Sequence, residues 1–252
     1  MALKTIVRYG LILGMVLILI SCAGGSKNER KDKAAGAEEQ FELGFAAAER
    51  GNLQEAIEAY QKVIKLDPKH ARAYLNLGVL YGRQGKWKDE IKAYKKAIAI
   101  DPNFAQAYFN MAVSYNERGD LKEALSYYQK TLQIDPNHVE AHNNLGNLHF
   151  RKGNLDEALR EYEAAVQINP KYARGYYNMG NVFRQKGKLE EAISSFEKAL
   201  EMNPRYGEAH YHLALIYFEK SDFPLAIEHC ERAQKLGIVV DPRFLERLKA
   251  LR

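Results

Sequence analysis

From Ala37 to Val240 the apolar residues fall at helical spacing in short paired stretches, and the whole pattern returns every 34 residues. The copy from Val139 to Tyr172, VEAHNNLGNLHFRKGNLDEALREYEAAVQINPKY, shows both halves clearly. Glu140 to Arg151 and Leu155 to Ile168 each carry one apolar and one polar face. Neither stretch can bury its apolar face alone, so each needs the other and the neighbouring copies. A fixed period of this size predicts an all-α stack of helical hairpins, whose length counts repeats rather than domains.

Alignment on Pro68, Pro102, Pro136, Pro170 and Pro204 gives six units, 37–70, 71–104, 105–138, 139–172, 173–206 and 207–240. Gly51, Gly85, Gly119, Gly153 and Gly187 occupy the link between the two stretches, where a helix ends in a left-handed residue. Gly78, Gly146 and Gly180, with Ala112 and Ala214, form a small-residue column where paired helices approach closely. Ala56, Ala124, Ala158, Ala192 and Ala226 form a second such column. The prolines close the second helix and re-aim the chain.

Some positions depart from the pattern. Gln40 and Ala47 replace aromatics in the first unit, which suits an outward-facing terminal repeat. Glu90 stands in the second small column, which predicts a local shift or a partly exposed carboxylate. Ser221 replaces glycine, Cys230 an aromatic and Ile238 proline, so the sixth unit ends irregularly. Asp241-Pro242 then starts a last helix over 241–252, with Phe244, Leu245, Leu248 and Leu251 as one apolar stripe that caps the stack.

The run Tyr74-x2-Leu77-Gly78-x2-Tyr81, followed by Tyr94 and Pro102, resembles the tetratricopeptide repeat, and the likeness extends through all six units. That resemblance implies a right-handed superhelical solenoid of helix-turn-helix repeats, closed by the short C-terminal helix.

Ahead of the repeats, residues 1–21 read as a signal peptide, with Lys4 and Arg8 before an apolar run from Tyr9 to Ile20. Leu19-Ile20-Ser21-Cys22 resembles a bacterial lipobox, which implies that Cys22 becomes the acylated first residue. An uncleaved signal anchor is the alternative, and both attach the chain to a membrane. The apolar run is short for a bilayer span, whereas two or more acyl chains anchor stably. Ala23 stands where an aspartate would resemble an inner-membrane retention signal, so the resemblance favours the periplasmic side of an outer membrane. Residues 22–36 are expected to hold the lipidated Cys22 and a flexible linker, whose small and charged stretch from Gly24 to Gly36 reaches about 40 Å when extended.

Removal of Lys4 and Arg8 lowers the formal charge from +5 to +3, and the remaining charges are too balanced for a nucleic-acid footprint. Two cysteines give no disulfide framework. The repeat columns also filter the chemistry. His142 and His210 align with Tyr74, Tyr108 and Tyr176, and His149 aligns with Tyr81, Tyr115, Phe183 and Tyr217, so all three read as packing residues. A metal pair at His210 and His212, or at His138 and His142, lacks the glutamate-flanked motif of metallohydrolases. Arg118-Gly119-Asp120 aligns with the other glycine turns, and Cys230 reads as a buried, inert thiol. With no phosphate-binding glycine loop and no nucleophile beside a base, the expectation is a non-enzyme that takes no cofactor, metal or small-molecule substrate.

In the family resembled, first helices line a concave groove. Carried over by position, Phe109, Asn143, Tyr177 and Tyr211 face it, then Asn147 and Asn181, then Asn116, Phe150, Arg184 and Phe218. The column Asn76, Asn110, Asn144 and Asn178 lies alongside. Asparagine offers a donor and an acceptor to a peptide backbone, and aromatics take its side chains; the alternative for that column is bonding between helices. Asn144, Asn147, Asn178 and Asn181 resemble the asparagine ladder in the repeat arm of a glycosyltransferase that modifies serine and threonine. Only its peptide-holding part carries over. The lysine-rich clamp that some such repeats use for a C-terminal carboxylate is absent, since Phe41 and Phe45 stand in its place.

The expectation is a membrane-tethered scaffold that holds an extended segment or helix of a partner protein. Six repeats behind a lipobox resemble the outer-membrane pilotin lipoproteins of type IV pilus assembly, which help a secretin ring assemble. An adaptor for envelope enzymes of peptidoglycan or polysaccharide export is the alternative, with a metal-dependent enzyme as a third reading.

Overall fold

The computed structural model describes residues 29–251, and every regular element among them is an α-helix. Helix α1 spans 29–49. The second helices of the six repeats are α2 (Leu53–Leu66), α4 (Trp87–Ile100), α6 (Leu121–Ile134), α8 (Leu155–Ile168), α10 (Leu189–Met202) and α12 (Phe223–Lys235). Between them run the first helices α3 (Ala71–Arg83), α5 (Ala105–Glu117), α7 (Val139–Arg151), α9 (Ala173–Gln185) and α11 (Gly207–Glu219), and α13 (Pro242–Lys249) follows the last pair. From the second repeat onward each first helix begins at the first residue of its unit.

By packing the chain divides into two compact units, 1–114 and 115–252, with the division inside α5. In the first, Phe41, Ile57, Tyr60, Val63, Leu77 and Leu80 share one core with Ala93 of α4. In the second, consecutive helices build linked cores around Tyr162 and Val182, around Phe196 and Leu213, and around Ala214, Cys230, Phe244 and Leu248.

The columns explain this packing. A Cβ built on Gly146 would lie 2.6 Å from the Tyr162 ring, and one on Gly180 would lie 2.6 Å from Phe196, so the first helix sits directly on the aromatic of its own second helix. The glycines between the helices have φ of 70 to 84°, and Ser221, in the same column, takes φ 60° with a side chain attached. The structure adds one further column. Asp67, Asp101, Asp135, Asn169 and Asn203 follow the first five second helices, and each side chain accepts the N–H two residues on, across the proline turn, at 3.0 to 3.1 Å. The side chain thereby replaces the hydrogen bonding that proline interrupts.

Several expectations need correction. Helix α1 already includes residue 29, the first one described, inside the stretch read as linker, because Glu29 to Ala35 are mostly strong helix formers. Residues 29–36 therefore rise about 1.5 Å each rather than about 3.3 Å. Ala47 is fully buried in the first core instead of facing outward. Leu251 lies past the end of α13 and is 44 % exposed, so the apolar stripe stops at Leu248. Glu90, by contrast, is partly exposed as expected, and its surroundings accommodate it: Gly82 leaves room for the carboxylate, and the buried Ser114 hydroxyl donates to it. Residues 1–21 and Cys22 lie outside the described residues.

Candidate functional site

Phe109, Asn110 and Asn76 belong to the first unit. Asn76 hydrogen-bonds Tyr60 and lines a small recess of about 110 Å³ with Phe45, Val79 and Arg83. Asn110 accepts from Gln106 at 2.8 Å, and Phe109 is half-buried.

The second unit gathers the rest, and it sorts them. Asn143 is 1 % exposed and so does not face a partner. Its amide donates to Asn144 at 3.3 Å and its carbonyl accepts from Asn178 at 2.8 Å. A polar residue in a largely apolar column is buried here because a second amide on α9 satisfies it. Asn144 donates to Tyr128 at 3.3 Å, as the reading of bonds between helices requires. Burial pushes the Tyr128 hydroxyl up to about 12, which keeps it neutral. Asn178 also donates to Asn147 at 3.2 Å, and Asn147 accepts a further bond from Tyr162 at 2.7 Å.

This network fixes what remains open. Both carbonyl lone pairs of Asn147 are used, which leaves its N–H2 group; both N–H bonds of Asn178 are used, which leaves its carbonyl. Asn181 makes no hydrogen bond among the described residues. It lines a recess of about 570 Å³ with Phe150, Arg184, Gln185, Leu189 and Glu219. Arg184 is exposed and forms no ion pair among the described residues. The surface thus offers a donor, an acceptor and a free amide beside an aromatic floor and a cation.

The remaining candidates are occupied within the chain. Tyr177 packs on Tyr206 and Phe196 and hydrogen-bonds His212 at 3.2 Å. Burial, helped by Arg184, holds His212 down at about 4, so the ring is neutral near pH 7. Tyr211 and Phe218 meet Phe244 of α13 edge-on, and Arg247 lies over Phe218 at 4.4 Å. Asn116 accepts from Arg151 at 3.2 Å.

The histidines do more than pack. His142 pairs with Glu161 at 2.7 Å, while His210, at the same repeat position, meets His229 at 2.9 Å. His70 and His138 accept the N–H of Ala73 and Ala141 and so cap α3 and α7. Cys230 is buried. Among the described residues no three His, Cys, Asp or Glu side chains are grouped to hold a metal ion, and no helix is long and apolar enough to cross a membrane.

Helix pairs repeated at a constant interval, with functional groups presented from the first helix of each pair, define a helical-repeat scaffold. Three tetratricopeptide-repeat family models match 44–115, 103–205 and 177–238, and the chain belongs to that family. Curated protein sequences return no match. Among solved structures, MamA from Desulfovibrio magneticus RS-1 is 26 % identical with a TM-score of 0.59, over 66 % of this chain and 94 % of that one. PilF from Pseudomonas aeruginosa shares the fold at 17 % identity and TM-score 0.76, over 88 % of this chain and all of that one. YrrB, described as a tetratricopeptide protein with an unusual peptide-binding site, matches at 24 % identity and TM-score 0.62, over 77 % of this chain and all of that one.

Proposed function

We propose that the protein is a membrane-tethered scaffold that grips an extended segment of a partner protein along Asn147, Asn178 and Asn181. The observation that carries this reading is the open donor of Asn147 and acceptor of Asn178, both held in place by bonds behind them, beside the unbonded amide of Asn181. They match the alternating N–H and C=O groups of an extended peptide, and Phe150 and Arg184 receive its side chains. Acylation of Cys22 supplies the tether, at the periplasmic face of an outer membrane. The pilotin-type role in secretin assembly follows from six repeats behind a lipobox, and the likeness to PilF supports the fold of that reading.

A photo-crosslinker at Gln185, used in native envelopes, should capture one partner, and Asn147→Ala with Asn181→Ala should abolish the adduct while helicity is kept. An undiminished adduct would place the partner elsewhere. Secretin as the captured chain supports the pilus role; a peptidoglycan or polysaccharide enzyme supports the adaptor instead. Palmitate labelling lost in Cys22→Ala checks the tether separately.

A further inference from the structure

The first unit carries a cationic face that the peptide groove does not use. On α4, Lys88, Lys92, Lys95 and Lys96 recur at helical spacing and are all exposed, opposite the buried Ile91, Ala93, Tyr94 and Ala97. Like charges one turn apart repel, so such a face weakens the helix unless an anion offsets it. No ion pair among the described residues does so, and Asp89 lies at the edge of the face. In the second unit α8 and α10 instead carry more acidic than basic side chains, and lysines of the turns pair with them: Lys186 with Asp156, Lys188 with Glu191 and Lys220 with Glu190.

Helix α2 shares its core with α4 and carries exposed Lys62 and Lys65 in its last turns, with exposed Lys69 and the half-buried Asp67 in the turn that follows, while its acids Glu55 and Glu58 lie in the earlier turns. The first half of α1 passes this same end of α2. A Cβ on Gly36 would lie 3.6 Å from Leu66, and Phe41 stacks on His70. Arg30, Lys31 and Lys33, with Glu29 and Asp32 among them, are exposed at the start of α1. Cys22 is seven positions before residue 29, and a chain of that length spans at most about 25 Å.

We propose that the α4 face, together with the lysine-rich end of α2, docks on an anionic lipid surface. The inference rests on the lipid-anchor reading of Cys22, which would hold this end of the unit within reach of headgroups. Anionic lipid attracts clustered lysines within a Debye length, and each contact adds to the anchor. The tether gives attachment, and the lysines give orientation.

The test uses the chain from Ala23 onward, which keeps every described residue and lacks any acyl group. Cosedimentation with phosphatidylcholine vesicles containing phosphatidylglycerol should show binding that disappears without phosphatidylglycerol and at high salt. Lys88→Gln, Lys92→Gln, Lys95→Gln and Lys96→Gln together should weaken it at least about tenfold, with the circular dichroism unchanged. No binding to the anionic vesicles, or equal binding by the fourfold variant, would overturn the proposal. So would preferential binding to a soluble acidic polysaccharide over vesicles of equal charge. Because this protein carries no lipid, either outcome is independent of palmitate labelling at Cys22.

Discussion

Asn178 and Asn181 are the same residue type on the same helix with opposite duties. Asn178→Ala removes the donor to the buried Asn143 carbonyl, and a buried acceptor left unpaired costs about 1–3 kcal/mol. Asn181→Ala removes no internal bond and should stay within about 0.5 kcal/mol while weakening partner capture; urea unfolding of both variants separates the roles. The histidine pairs divide in the same way. A carboxylate beside His142 raises its proton affinity, so its contribution is present at acid pH and is lost as pH rises through its raised value. Burial, with His210 adjacent, holds His229 down at about 4, and Glu228 and Arg232 act on it in opposite directions. His210 hydrogen-bonds the Pro204 carbonyl, and Tyr217 stacks on His229. The unfolded chain takes up these protons first, so the pair stabilises the fold above about pH 6.5 and the contribution is lost as pH falls towards 4. His229→Gln should therefore flatten the fall in melting temperature between pH 7 and pH 4.5, measured by circular dichroism; an unchanged slope would assign acid sensitivity to other groups.

At the scale of the element, two local rules set each hairpin. The first is close approach: Gly180 leaves no room for a branched side chain against Phe196, so Gly180→Val should destabilise by about 1–3 kcal/mol through overpacking. The second is the left-handed turn residue, which Ser221 satisfies under strain. Ser221→Gly should relieve about 1 kcal/mol and raise the denaturation midpoint, whereas no gain would mean that the surrounding turn already absorbs the strain. Both rules were legible in the sequence because they repeat at one interval. The helical state of residues 29–36 was not, since they have no sibling in the other repeats and their charge resembles a linker despite good helix propensity. The Asp and Asn turns after the first five second helices repeat at the same interval, one position before each proline, so that column was legible as well.

For the whole molecule, the period made the fold and the placement of first helices legible, because each column records the same contact several times over. The candidate groove was legible only as a set of positions. Which of them stay open depends on single pairs such as Asn143 with Asn178 and Phe218 with Phe244, which the column average cannot show. One sequence signal could have revealed the histidine pairs: the spacing of His142 to Glu161 equals that of His210 to His229. Packing dominated by consecutive helices has a further consequence, since stability is then a sum over neighbours. Deleting 241–252 removes Phe244 and Leu248, which cover Tyr211, Phe218 and Cys230. Amide hydrogen exchange in α11 and α12 should then quicken at least about tenfold, while α3 and α4 keep their protection. If protection fell equally in α3 and α4, the chain would be opening as one cooperative body, and nearest-neighbour packing would not describe its stability.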